Sequence, residues 1–154
     1  MSSSIRHERV AAFLRQEVVP FSLGGRATVV TSTFDDINPS DGSTLATVAA
    51  AEPSIVDAVV DQAQDALHSA AWVRMTPADR ANILWRLSEL VLRDRDELSE
   101  LDALDCGLPI SASHQVEAVV EELRYFAGLT TKLDGRVAKI GLPGFHVYTE
   151  IEPV

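Results

Sequence analysis

Residues 76–109, "TPADRANILWRLSELVLRDRDELSELDALDCGLP", limit the possible folds more than any other stretch. Thr76 is placed to cap a helix, Pro77 suits its first position, and Asp79 stands at the third. Leu84, Leu87, Val91, Leu98, Leu101 and Leu104 recur at helical spacing, and Gly107 and Pro109 end the pattern. The sequence therefore predicts one long amphipathic helix to Gly107, which must bury its apolar stripe against something else.

Two further helices flank it. One is expected to open at Ser54 as cap, with Asp57 three residues on, and to carry Ile55, Val59, Ala63, Ala66 and Ala70 on one face, with Val56, Val60 and Leu67 at the margin. The other is expected to begin near Ser111 or Ser113, to bury Val116, Val119, Val120, Leu123, Phe126 and Ala127, and to close at Gly135. Before them, "IRHERVAAFLRQEV" (5–18) reads as a short helix with Val10, Phe13, Leu14 and Val18 on one side, ended by Pro20.

The β-branched run "RATVVTSTF" (26–34), the turn "NPSDG" (38–42) and "STLATVA" (43–49) predict a hairpin or meander. A Gly/Pro loop (141–144) leads to "FHVYTEIEPV" (145–154), where Val147, Thr149 and Ile151 alternate with His146, Tyr148, Glu150 and Glu152. That is the pattern of a half-buried strand, expected here without a partner because nothing follows Val154. The fold class predicted is α/β: a β-hairpin region, three main helices and a terminal strand.

At 154 residues the chain suits one domain, and 46% hydrophobic with 23% charged residues is a globular balance. With 13 Lys and Arg against 23 Asp and Glu, its net charge of -10 opposes binding to nucleic acid or to anionic membranes. No apolar run approaches the ~18 residues that a membrane span needs. A single cysteine allows no intrachain disulfide, so a reducing, cytoplasmic setting is expected.

Candidate chemistry is sparse. His7, His68, His114 and His146 lie far apart with no metal-ligand spacing. Cys106 ends a helix beside Asp105, where the helix dipole and the carboxylate both oppose a thiolate, so a structural role is expected. Glu89, Asp94, Asp96, Glu97, Glu100, Asp102, Asp105, Glu117, Glu121 and Glu122 form too dense a background to single out an acid–base pair, and most are expected on solvated faces. The glycines form neither a dinucleotide-binding fingerprint nor a phosphate loop.

Taken in order, "GGR" (24–26), "INPSDGSTLATV" (37–48), "SIVDAVVDQAQDAL" (54–67), Trp72, "PADRANIL" (77–84), "LDALDCGLP" (101–109), "LRYFAG" (123–128) and "YTEIEPV" (148–154) resemble the amino-terminal part of the aldehyde dehydrogenase superfamily. Where that family commonly has Gly-Lys-Pro, this chain has Gly107-Leu108-Pro109. The resemblance implies an N-terminal extension (1–23), the first part of an NAD(P)-binding domain (24–140) and the first strand of an oligomerisation hairpin (141–154). It implies oxidation of an aldehyde to a carboxylic acid with NAD or NADP in a homo-oligomer. The catalytic cysteine, general-base glutamate and cofactor loop of the family are expected beyond Val154. The chain alone is thus expected to be inactive, to bind no cofactor, and to need a complementary chain for the rest of the fold. Its apolar helix faces would then lie open, an aggregation liability.

Two site assignments follow from the resemblance. The Ile37 carbonyl and Asp105 carboxylate match the family's monovalent-cation ligands, although Asp105 hydrogen-bonded to nearby backbone is an equal alternative. His114, Ala118 and Glu121 match the lining of the substrate entrance, against the plainer reading of a surface helix. The alternative function is a non-catalytic interaction or scaffold protein that pairs through its exposed strand edge.

Overall fold

The computed structural model describes residues 5–28, 32–112 and 114–152. The N-terminal helix α1 spans Glu8–Leu14, shorter than the sequence pattern predicts, and a turn and bends over 15–18 lead from it to a bridge at Val19. Val19 donates its amide to the Thr47 carbonyl at 2.8 Å and accepts from the Ala49 amide at 3.0 Å. That parallel bridge requires extended backbone, which is why Val18 falls outside the helix.

Strands β1 (Phe21–Leu23) and β2 (Arg26–Thr28) form a hairpin absent from the sequence reading. Gly24 and Gly25 close it with φ of 56° and 76°, a two-residue turn whose left-handed backbone suits glycine. Residues 29–31 of the run 26–34 lie outside the described residues. Strand β3 (Thr33–Ile37) pairs antiparallel with β4 (Thr44–Ala49), as the hairpin expectation required. Asn38, buried in the turn, takes the Ser40 amide on its side chain at 2.9 Å and the Gly42 amide on its carbonyl at 2.8 Å.

Helix α2 runs Pro53–His68. It starts at Pro53 rather than beyond Ser54, because proline takes the first helical position and Glu52 becomes the cap residue. Ser69 breaks the expected stripe before Ala70. Its extended backbone ends α2, and its hydroxyl accepts the Trp72 amide at the head of the short α3 (Ala70–Val73).

The long helix predicted from 76 to 107 is two helices, α4 (Pro77–Arg93) and α5 (Arg95–Cys106). Thr76 and Asp79 make a reciprocal capping box, with the Thr76 amide 2.9 Å from Asp79 Oδ2 and the Asp79 amide 3.2 Å from Thr76 Oγ1. The break falls at Asp94. Its carboxylate is gripped by Arg93 at 2.6 and 2.9 Å and by Arg9 at 2.9 Å, which holds a weak helix former at ψ 20°. Gly107 ends α5 in left-handed conformation, φ 71°, as expected.

A 3-10 turn at Ile110–Ala112 takes Ser111, and Ser113 lies outside the described residues. Helix α6 (Gln115–Leu129) stops well before Gly135, where Thr130 donates its hydroxyl to the Ala127 carbonyl at 2.9 Å. Its buried residues, Val116, Val120 and Ala127, lie along the seam with α4, whereas Val119 and Phe126 are exposed. Ser88, fully buried on α4, accepts from Arg124 Nε at 3.3 Å, and that guanidinium sits 5.0 Å over the Trp85 ring.

The terminal segment corrects the expectation of an unpaired strand. β6 (Val147–Tyr148) pairs backwards with β5 (Val137–Ala138), extended by the Thr149 amide to the Arg136 carbonyl at 2.9 Å. Val147 is half-buried, but Thr149 and Ile151 are exposed, so among the described residues nothing covers either face of this hairpin fully. The buried apolar set (Val10, Ala46, Ala49, Leu104, Val116, Val120, Ala127) is small and concentrated in the helical half and β4.

Candidate functional site

The first assigned pair lies where the C-terminal ends of β3 and α5 meet. Gly107 is what lets them approach: a Cβ there would stand 2.7 Å from Pro39 Cγ. Burial pushes the Asp36 carboxyl up, and the facing Asp105 carboxylate pushes it further while sharing a hydrogen bond. Asp36 and Asp105 border a 320 Å³ cavity floored by Ala46, Val48, Leu98 and Leu101. Two facing carboxylates beside the strand end carrying Ile37 form an oxygen-rich corner suited to a hard monovalent cation. Among the described residues no group of three or more His, Cys, Asp or Glu side chains gathers as a metal cluster.

Cys106 lies at the same corner and is exposed. Its Sγ is 3.7 Å from both Asp102 Oδ1 and Asp105 Oδ2. Local desolvation pushes the thiol up, and the two carboxylates add to that, the opposite of what a nucleophile needs.

The second assigned set shares one face. His114 is the cap residue of α6, and Ala118 and Glu121 follow at four- and seven-residue spacing, all exposed. They point away from the buried Val116, Val120 and Ala127. Tyr125 extends the stripe by one turn, is 64% exposed, and meets Phe126 edge-on at 5.4 Å. Sequence reasoning passed over Tyr125, although its spacing from Glu121 was the available signal.

Sequence reasoning also missed Glu100 among its many acidic neighbours. It is 4% exposed and accepts the backbone amides of Arg6 and His7, the latter at 2.9 Å, with His7 Nδ1 2.7 Å from Oε2. The signal was its place one helical turn before the buried Leu104. The described residues hold no helix long and apolar enough to cross a membrane.

Capped helices flanked by short antiparallel hairpins make this a mixed α/β fold. The sequence pattern of the aldehyde dehydrogenase family matches residues 27–154. The chain is 35% identical over 125 residues to a putative aldehyde dehydrogenase, DhaS, of Bacillus subtilis, covering 80% of this chain and 25% of that one. It is 39% identical over 125 residues to the mitochondrial aldehyde dehydrogenase of Rattus norvegicus, covering 79% and 24%. Its fold superposes on the NAD+ complex of an aldehyde dehydrogenase from Bacillus cereus with a TM-score of 0.90 and 35% identity, over 97% of this chain and 31% of that one.

The chain belongs to the aldehyde dehydrogenase family. It carries the fold of the family's amino-terminal region and spans about a quarter of the length of these curated relatives.

Proposed function

We propose that the chain is the amino-terminal framework of an NAD(P)-dependent aldehyde dehydrogenase and is inactive without polypeptide carrying the rest of the fold. The observation that carries this reading is the superposition on the NAD+-bound Bacillus cereus enzyme, which uses almost all of this chain and under a third of that one. In such an enzyme a thiolate attacks the aldehyde carbonyl and amide donors hold the oxyanion. The nicotinamide cofactor, when bound, supplies the hydride acceptor. Cys106 does not fit the nucleophile's part, since its surroundings disfavour the thiolate. What this chain contributes is placement: residues 24–140 as outer layers of the cofactor domain and 141–154 as the first strand of a subunit-contact hairpin.

Two finer assignments belong to this reading. The Ile37 carbonyl and the Asp105 carboxylate hold a monovalent cation, which relieves the repulsion between Asp36 and Asp105. His114, Ala118 and Glu121 line the substrate entrance, where the small Ala118 leaves room for a bulky aldehyde. Replacing choline chloride by potassium or sodium chloride at constant ionic strength is expected to raise the melting temperature of the wild type but not of Asp105→Asn. An equal response in both proteins rules the cation assignment out.

The activity reading is tested by following NADH absorbance with a panel of aldehydes, using the 154-residue chain alone and then with a second polypeptide supplying the remaining family sequence. Turnover is expected only from the combination. Turnover by the chain alone, surviving purification from host enzymes, overturns the reading. A second reading, a non-catalytic binding module, is favoured by one feature: among the described residues β6 pairs along one edge only, through a two-residue ladder, and an incoming strand could take the other. A specific strand-donating partner unrelated to dehydrogenases would establish it instead.

A further inference from the structure

Helix α1 depends on α5 in an unusual way. It has seven residues, below the length at which an isolated helix holds in water. Its cap residue His7 makes no side-chain capping bond of its own. The free amides at its entry are taken by the Glu100 carboxylate, from a residue 93 and 94 positions along the chain. Val10 is the only buried side chain of α1. Beneath the helix run two adjoining cavities of 320 and 370 Å³ that share Phe13, Leu98 and Leu101, so the apolar groove between α5 and β4 is loosely filled. A second tie, Arg9 to Asp94 and Glu97 at 2.9 and 3.3 Å, is exposed on the arginine side and screened by salt.

We propose that residues 5–14 form a detachable strap latched by the Glu100 carboxylate, whose release uncovers the apolar groove between α5 and β4 while the α4–α6 pair stays folded. The latch is a buried charge with its acceptor sites used by two amides and an imidazole, so removing it leaves three groups unsatisfied at once. Without the cap the seven-residue helix melts instead of sliding to a new position.

The charged and ionisable groups that meet Glu100 are Arg6 and His7 from the strap, while Arg95 and Asp96 on α5 and Glu117 on α6 line a neighbouring cavity that Arg6 and His7 also border. Burial pushes the Glu100 carboxyl up, but the Arg6 amide and the His7 imidazole and amide together hold it below its ordinary 4.5. A depressed carboxyl stabilises the latched form fully above that value and loses the contribution as pH falls through the folded-state value. The strap is therefore latched at neutral pH and opens on strong acidification.

Hydrogen exchange of the full chain followed by mass spectrometry, corrected for intrinsic rates, tests this. At pH 7 the Glu100→Ala variant is expected to exchange amides 6–14 on the order of tenfold faster, with α4 and α6 unchanged. Unchanged strap amides would show that Glu100 is no latch. Parallel loss in the strap, α4 and α6 would show that α1 belongs to the cooperative core. The wild type supplies a measurement that needs no variant: amides 6–14 are expected to be less protected than those of 84–91 and 116–127, and equal protection overturns the strap. Between pH 7 and about 3 the wild-type strap is expected to stay latched down to the ordinary 4.5 and to loosen progressively as pH falls below it. Glu100→Gln, which accepts amides but cannot titrate, is expected to show no such transition, and a transition retained in it refutes the latch.

Discussion

The two ends of the molecule solve the same problem differently. Where α1, β4 and α5 meet, three polar groups that would be costly to bury are matched: Glu100 by two amides and an imidazole, Asn38 by its own turn, Asp94 by two guanidiniums. Along α2 and the β5–β6 hairpin there is almost nothing to match, because almost nothing is covered. α2 buries no residue, Val60 is 53% exposed, and Val56 and Val59 stand open beside it. Phe145, Tyr148 and Ile151 are in the same condition. Local signals such as Pro53, the Ser69 cap and the terminal alternation suffice to form these elements, but closing a core takes a second surface. A helix with so strong an apolar face and no buried side chain is half of an interface.

The sharpest test of that contrast pairs one substitution from each end. Leu104→Ala removes a buried side chain from α5 and is expected to cost about 2–3 kcal/mol in urea unfolding. Val60→Ser is expected to cost under about 0.5 kcal/mol in the 154-residue chain while lowering binding of an apolar-surface dye. When the remaining family sequence is supplied in trans, Val60→Ser should weaken association. Equal costs at the two sites in the isolated chain would mean that α2 is covered in solution and that the contrast between the ends is wrong.

A smaller effect is expected at the capping box that starts α4. Thr76→Ala should lower stability by about 1 kcal/mol. The Thr76 hydroxyl and amide hold the Asp79 carboxyl below its ordinary 3.8. A lowered carboxyl stabilises the fold above that value and loses its effect as pH falls through the folded-state value. The wild type should therefore lose the carboxylate's part of its advantage over Thr76→Ala in acid, measured as a narrowing of the gap between their unfolding midpoints, while the Asp79 amide to Thr76 hydroxyl bond keeps the remainder. A gap that stays unchanged to pH 2 would show that the box acts through the hydroxyl alone.

Most of the architecture was legible where the signal was local. Thr76-Pro77-Asp79, Gly107 and the Asn38–Gly42 turn each set backbone geometry within a few residues, and each stands where the sequence placed it. Some misses were local signals passed over, such as Pro53, Ser69 and Gly24-Gly25, and the rest are decided by distant residues. Asp94 breaks a helix because Arg9 reaches it from 85 residues away. Val19 leaves a helical pattern to bridge Val48, and the terminal strand turns back onto Val137. At the candidate site the same division holds. The spacing of His114, Ala118 and Glu121 places them on one face, and Asp105 could be assigned from the pattern, but its opposition to Asp36 depends on the hairpin folding against the end of α5.

Cys106 gives the finest test of that corner. Desolvation and the neighbouring Asp102 and Asp105 push the thiol above its ordinary 9.0. Alkylation by iodoacetamide at pH 8 should be slower than for a free cysteine in an unfolded peptide, although the side chain is exposed, because the thiolate is the reacting form. The rate should climb with an inflection above pH 9.0. Asp105→Asn removes one of the two carboxylates and should speed the reaction a few-fold at pH 8 by lowering the thiol. Urea should abolish the difference between the two proteins, since it depends on the folded meeting of α5 with the hairpin. A Cys106 that reacts faster in the folded chain than in urea would mean that this corner is electropositive in solution, and the acidic corner assigned to a cation would have to be placed elsewhere.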